Sequence, residues 1–203
     1  NLLVIFDSTT VEMMESGLSH NYIHRLYKVL TPDGAKGMSV IKFDYDPLSA
    51  WSEIRKVTVL HADGTQTAID TSKVLDYPQP ARAIYWGARE KMLEVGRLEP
   101  GDAVDVHLFR KGFTYALLAG SDDDERYIPP MKGHFYDIVP FYSNDPVLLK
   151  VYQIKVPDTK VLQYEIYNGE VSSKMWRNGN KLVYTFSKKD ISPFHGEPRS
   201  VDA

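Results

Sequence analysis

Val104-Asp105-Val106-His107-Leu108 puts three apolar residues on one side of an extended chain and two polar ones on the other, the period-two signature of a half-buried strand. The same alternation recurs in both directions. Leu182, Tyr184 and Phe186 repeat it against Lys181 and Thr185, and Leu162, Tyr164 and Ile166 repeat it against Gln163 and Glu165. Between such runs stand Thr31-Pro32-Asp33-Gly34, His61-Ala62-Asp63-Gly64, Glu99-Pro100-Gly101-Asp102, Asn168-Gly169 and Asn178-Gly179. These are turn sequences, because Pro presets φ and Asn, Asp and Gly tolerate the positive φ of tight reversals. The pattern predicts strands near 2–13, 19–30, 38–46, 52–61, 65–70, 89–97, 103–110, 113–119, 147–156, 160–167, 171–176 and 180–187. The expected architecture is all-β, a large antiparallel sandwich of supersandwich type built from a meander of hairpins with little helix.

Helical periodicity is poor, and the best stretch for it is Ala81 to Met92, where a turn or two of helix competes with a strand. Two Pro-rich segments, 71–88 and 120–146, read as irregular rather than as central strands. The expectation is one domain over 1–203, with 120–146 as the place where it would divide.

A chain of 203 residues, 43% apolar and 25% charged, is long enough for its own core and ordinary for a globular protein. Lys and Arg number 24 against 27 acidic residues, so there is no basic field to attract nucleic acid. The longest apolar run, Leu2 to Phe6, is far short of the roughly 20 residues that span a bilayer. The N-terminus has no signal-peptide pattern, so any targeting segment is expected to be removed or to lie outside the chain. With no Cys, thiolate metal sites, disulfides and Cys nucleophiles are excluded. Glycines fall singly in turns, which argues against a phosphate loop.

The order and spacing of several pieces carry a family resemblance. They are Arg25-Leu26-Tyr27-Lys28-Val29-Leu30-Thr31-Pro32-Asp33-Gly34, then Ile41-Lys42-Phe43-Asp44-Tyr45-Asp46, His61-Ala62-Asp63-Gly64 and Leu98-Glu99-Pro100-Gly101-Asp102. Asp145-Pro146-Val147, Lys155-Val156-Pro157 and the tail Ile191 to Pro198 follow. In these the chain resembles the N-terminal domain of unknown function found ahead of transglutaminase-like domains in bacterial envelope proteins. The resemblance implies a large β-sandwich outside the cytoplasm, with no catalytic residues to carry over. It also implies a transglutaminase-like or papain-like neighbour with its own Cys, His and Asp.

Chemistry-bearing residues read blandly beside this. His20 and His24 have the spacing of a metal pair but lack further ligands and a zincin Glu between them. Ser121-Asp122-Asp123-Asp124-Glu125 offers oxygen atoms for calcium without the alternating order of a calcium loop, so a solvated loop is expected. Ser121 has no Gly-x-Ser-x-Gly elbow around it. Glu12, Glu53, Glu90 and Glu94 read as surface residues of strands, and no cofactor, metal or catalytic activity is expected. The surplus is aromatic, with 13 Tyr, 8 Phe and 3 Trp. Tyr85, Trp86, Phe135, Tyr136, Phe141 and Tyr142 lie in the irregular segments, either filling the core beneath long loops or forming a binding patch. Such a patch would hold a neighbouring protein domain or, in the second reading, a glycan or peptidoglycan fragment.

Overall fold

The computed structural model describes residues 1–79, 87–113 and 134–194. Among these residues eleven strands run in chain order: β1 (Leu2–Met13), β2 (Ser19–Val29), β3 (Val40–Tyr45), β4 (Ala50–Leu60), β5 (Gln66–Ala68), β6 (Leu75–Pro78), β7 (Arg89–Glu94), β8 (Ala103–Gly112), β9 (Val147–Pro157), β10 (Ser172–Asn178) and β11 (Lys181–Ile191). Eight form one sheet in the order β10-β11-β9-β1-β2-β8-β4-β5, and three form a second in the order β3-β7-β6. The fold is the all-β sandwich that the alternation predicts.

Its topology is not a simple meander. Among the described residues only β1–β2, β4–β5, β6–β7 and β10–β11 pair as chain neighbours, and β1 pairs with β9 in parallel. That parallel pair joins residues on both sides of the Pro-rich 120–146 segment into one sheet. β1 is thereby an interior strand, and Val11 beneath its ladder is fully buried.

The inner face of the large sheet carries two main cores. Around β2, β4 and β8 the small sheet closes over Val29, Val57, Val104 and Val106, contributing Ile41 and Leu93. Around β1, β9 and β11 the core is Val11, Ile154, Val156, Tyr184 and Phe186, and what packs on it is irregular chain: Phe135, Val139, Phe141, Leu162 and Val171. A smaller cluster of Val4, Val147 and Ile191 adjoins Tyr27.

Several local expectations are corrected. Thr31-Pro32-Asp33-Gly34 starts a short helix, α1 (Pro32–Met38), instead of a turn. Thr31 caps it, its Oγ1 accepting from the Gly34 amide at 3.1 Å, and Pro32 sits where a missing N–H costs nothing. Gly34 is required there, because a Cβ would run into the Asn1 carbonyl. Residues 160–167 form no strand. Leu162 and Tyr164 do face inward, onto the second core, but β10 already occupies the edge of β11. Their alternation reflects packing on a sheet face instead of pairing in a ladder. Arg89–Glu94 is a strand, which settles the described part of the 81–92 ambiguity, while 80–86 lies outside the described residues. Of the expected strand 113–119 only Phe113 is described, and it is not in a strand. Within 71–88, Leu75–Pro78 forms an edge strand, where Pro78 is tolerated. Asp76 ties it down, accepting from Tyr45 Oη at 2.8 Å, Arg89 Nε at 2.8 Å and Lys91 Nζ at 2.6 Å. Glu90 is buried, not a surface residue; it accepts from Tyr77 Oη and pairs with Lys42 at 3.3 Å.

Candidate functional site

Two segments without ladder partners, 134–142 and 161–167, lie on the second core. Their inward residues are Phe135, Val139, Phe141 and Leu162. The residues between them remain in solvent: Tyr136, Ile138 at 74% exposure, Tyr142 at 63%, Val161 and Tyr167 at 75%. Phe194 packs edge-to-face against Tyr142 with centroids 5.8 Å apart. The Tyr164 ring meets Phe186 at 4.8 Å and stays half exposed. The Tyr167 hydroxyl donates to the Glu165 carboxylate, which raises it above the ordinary tyrosine range. Of the six aromatic residues singled out in the sequence, Phe135 and Phe141 thus serve the core, while Tyr136 and Tyr142 are on the surface. Tyr85 and Trp86 lie outside the described residues, as does the Asp122 to Glu125 run. Sequence reading missed Val161 and Tyr167, since 160–167 looked like a strand with an ordinary pattern, and it passed over Ile138 and Phe194, which lie outside that strand.

A hydrogen bond to β9 fastens the first segment. Tyr152 of β9 is buried, and its hydroxyl donates to Asp137 Oδ2 at 2.7 Å. Burial first, and then the Asp137 charge, push that hydroxyl far above the ordinary tyrosine range, so it stays protonated as the donor. Tyr152→Phe is expected to cost about 1–2 kcal/mol in denaturant unfolding, because Asp137 is exposed and regains water. Amide exchange over 134–142 should accelerate more than exchange in β2 or β8.

Where the apolar clusters meet, the inner face is charged. Asp7 of β1 accepts from Arg25 Nε at 3.0 Å and from Lys150 Nζ at 3.1 Å. Burial pushes the Asp7 carboxyl up, but the Arg25 and Lys150 charges outweigh it and hold it below the usual range. Lys150 also approaches the Phe141 ring to 6.0 Å, so this trio lies under the covering segment.

The outer face of β2, β8 and β4 carries a different set. Phe109 is buried there beneath the Arg55 guanidinium, 3.6 Å from the ring centroid, and beside Tyr22 and His20. His20 and His24 share this face but are four residues apart on one strand, roughly 13 Å, too far to hold one ion. His24 instead meets His107 and Asp105 of β8. Asp105-Val106-His107 on a predicted strand was the available signal, since residues two apart share a face.

The comparisons with known proteins fit this architecture. Over residues 15–195 the sequence matches the family described as a domain of unknown function with solved structure, DUF3857. The structure is similar to that of a presumptive protease from Parabacteroides distasonis, with TM-score 0.77 and 14% identity, covering 98% of this chain and 38% of that one. A zinc metallopeptidase of the M1 class from Deinococcus radiodurans aligns at TM-score 0.45 and 13% identity, covering 92% of this chain and 39% of that one. A family 3a carbohydrate-binding module from the Clostridium thermocellum cipA scaffolding aligns at 0.31 and 15%, covering 55% and 76%. Both scores are too low to carry an argument. No curated protein matches the chain. With the family match spanning most of its length, the chain belongs to the DUF3857 family.

Proposed function

We propose that this chain is a non-catalytic accessory domain that docks a neighbouring catalytic domain of transglutaminase or protease type through the tyrosine-rich layer over its second core. The observation that carries this reading is the exposed apolar set Tyr136, Ile138, Tyr142, Val161, Tyr167 and Phe194. Exposed apolar side chains in such number mark interaction sites where they form a patch, and aromatic residues supply large contact area for little lost entropy. Support for a catalytic neighbour comes from proportion. The chain spans 38% of the similar Parabacteroides protein, a presumptive protease, so most of that protein is something else. The family resemblance is the support for an address outside the cytoplasm. Among the described residues no helix is long and apolar enough to cross a membrane.

The test is calorimetric titration of this chain with a catalytic domain of that type encoded beside it. Saturable association is expected, weakened at least about tenfold when Tyr136, Tyr142 and Tyr167 are together replaced by Ala. Association that ignores the triple substitution, or none at all, would sink the reading. A rise of the thermal midpoint with glycan or peptidoglycan fragments, lost in the same variant, would assign the surface to sugars.

A further inference from the structure

We infer that His24, His107 and Asp105 form a binding site for a borderline transition-metal ion such as Zn²⁺ on the outer face of the large sheet. This inference is independent of the docking surface, which involves the opposite face.

The site is built from two interior strands. His24 of β2 and His107 of β8 are direct cross-strand partners, and Asp105 stands two residues before His107 on the same face. Asp105 Oδ1 lies 2.5 Å from His24 Nε2, and Oδ2 lies 3.2 Å from His107 Nε2. The two imidazoles stack with centroids 3.8 Å apart and planes 21° from parallel, and the three ligand atoms all fall within 4.8 Å of one another. Around a tetrahedral ion with bonds of about 2.0–2.1 Å, ligand atoms stand roughly 3.3 Å apart, so small side-chain rotations close the set. β2 lies between β1 and β8, and β8 between β2 and β4. The backbone under the ligands is thus held on both sides, while the Phe6 and His24 rings pack edge-to-face with centroids 4.7 Å apart.

The donor set selects the ion. Two imidazole nitrogens and one carboxylate suit Zn²⁺, Ni²⁺ or Cu²⁺, whereas Ca²⁺ needs six to eight oxygens. Side-chain exposures of 39% for His24, 36% for His107 and 19% for Asp105 leave the cluster open to solvent. Three protein ligands leave a fourth position for water or an outside donor, the arrangement of open zinc sites. Lys56 pairs across from His107 and its charge opposes a bound cation, which lowers the expected affinity. The competing account is a carboxylate that merely bridges two ring N–H groups, and it predicts no saturable metal binding.

The experiment is calorimetric titration of the whole chain, carrying no polyhistidine tag, with Zn²⁺, repeated with Co²⁺ to read its visible absorption. One equivalent should bind, with the intense absorption of low-coordinate Co²⁺. His24→Ala, His107→Ala and Asp105→Asn should each weaken binding at least about tenfold, while His20→Ala and His61→Ala change it less than about twofold. Thermal midpoints near that of the parent chain would show that the variants fold. Failure to saturate by about 1 mM Zn²⁺, retention of binding in the His24→Ala/His107→Ala double variant, or equal loss in His20→Ala would each overturn the assignment.

Discussion

Asp7→Ala is expected to destabilise the fold by about 2–4 kcal/mol in urea unfolding at neutral pH. Asp7 is 13% exposed in its side chain and Lys150 16%, both on the inner face. Removing the carboxylate leaves two cations facing each other beside apolar clusters. Breaking a buried pair typically costs about 3–5 kcal/mol; the figure is reduced because Arg25 keeps a third of its surface in solvent. Asp7→Asn keeps the shape and loses the charge, so it should account for most of the loss. The pH dependence has a fixed sign. The folded carboxyl titrates below the ordinary value of 3.8, so the unfolded chain binds the proton more readily. The Asp7 contribution is therefore fully present above that ordinary value and disappears as pH falls through the depressed folded one. The stability gap between the parent and Asp7→Asn should hold constant from pH 7 to about 5 and shrink below about 4. A gap that stayed constant to pH 2 would refute the ion-pair account.

Ile154→Ala should cost about 2–5 kcal/mol, the range for emptying a fully buried aliphatic site. Ile154 has no exposed surface and sits in β9 between Val11 of β1 and Tyr184 of β11. Its loss opens a cavity at the centre of the second core, and the sheet neighbours are too constrained by their ladders to fill it. The covering there is irregular chain, which can settle partway, so the value should fall short of the top of the range. Because Phe135, Phe141 and Leu162 rest on this cluster, Ile154→Ala should also weaken docking, unlike an equally destabilising change in the first core such as Leu93→Ala. Val161→Ala, at 79% exposure, should change stability by less than about 0.5 kcal/mol. Chemical denaturation of the three variants, paired with the docking titration, separates these effects.

Glu90 and residues 160–167 mark how far local pattern carries. Both sit in stretches whose alternation was plain, yet Glu90 is buried by partners from other strands, Tyr77 and Lys42. Leu162 and Tyr164 alternate without belonging to a sheet. Period-two patterning records which side chains leave water, and a segment lying over a sheet face satisfies it as well as a paired strand does. Thr31 to Gly34 shows the same limit for turns, since a Ser/Thr cap followed by Pro opens a helix as readily as a reversal. In the candidate sites, tyrosines 136 and 142 were visible as aromatic residues in a Pro-rich stretch, but Tyr167 and Val161 were hidden inside a presumed strand.

The β class, most strand positions, the reversals at Gly64, Gly101 and Gly179 and the lack of thiol chemistry were already in the chain's order of residues. Each depends on neighbours a few positions apart: alternation, a positive φ at glycine, a composition. Strand order was not. That β9 inserts beside β1 in parallel, that Asp7 meets Lys150 and that His24 meets Asp105 and His107 all join residues more than eighty positions apart. Such partners are chosen by how a whole set of half-buried strands can share two cores and satisfy every interior ladder, a condition no single segment contains.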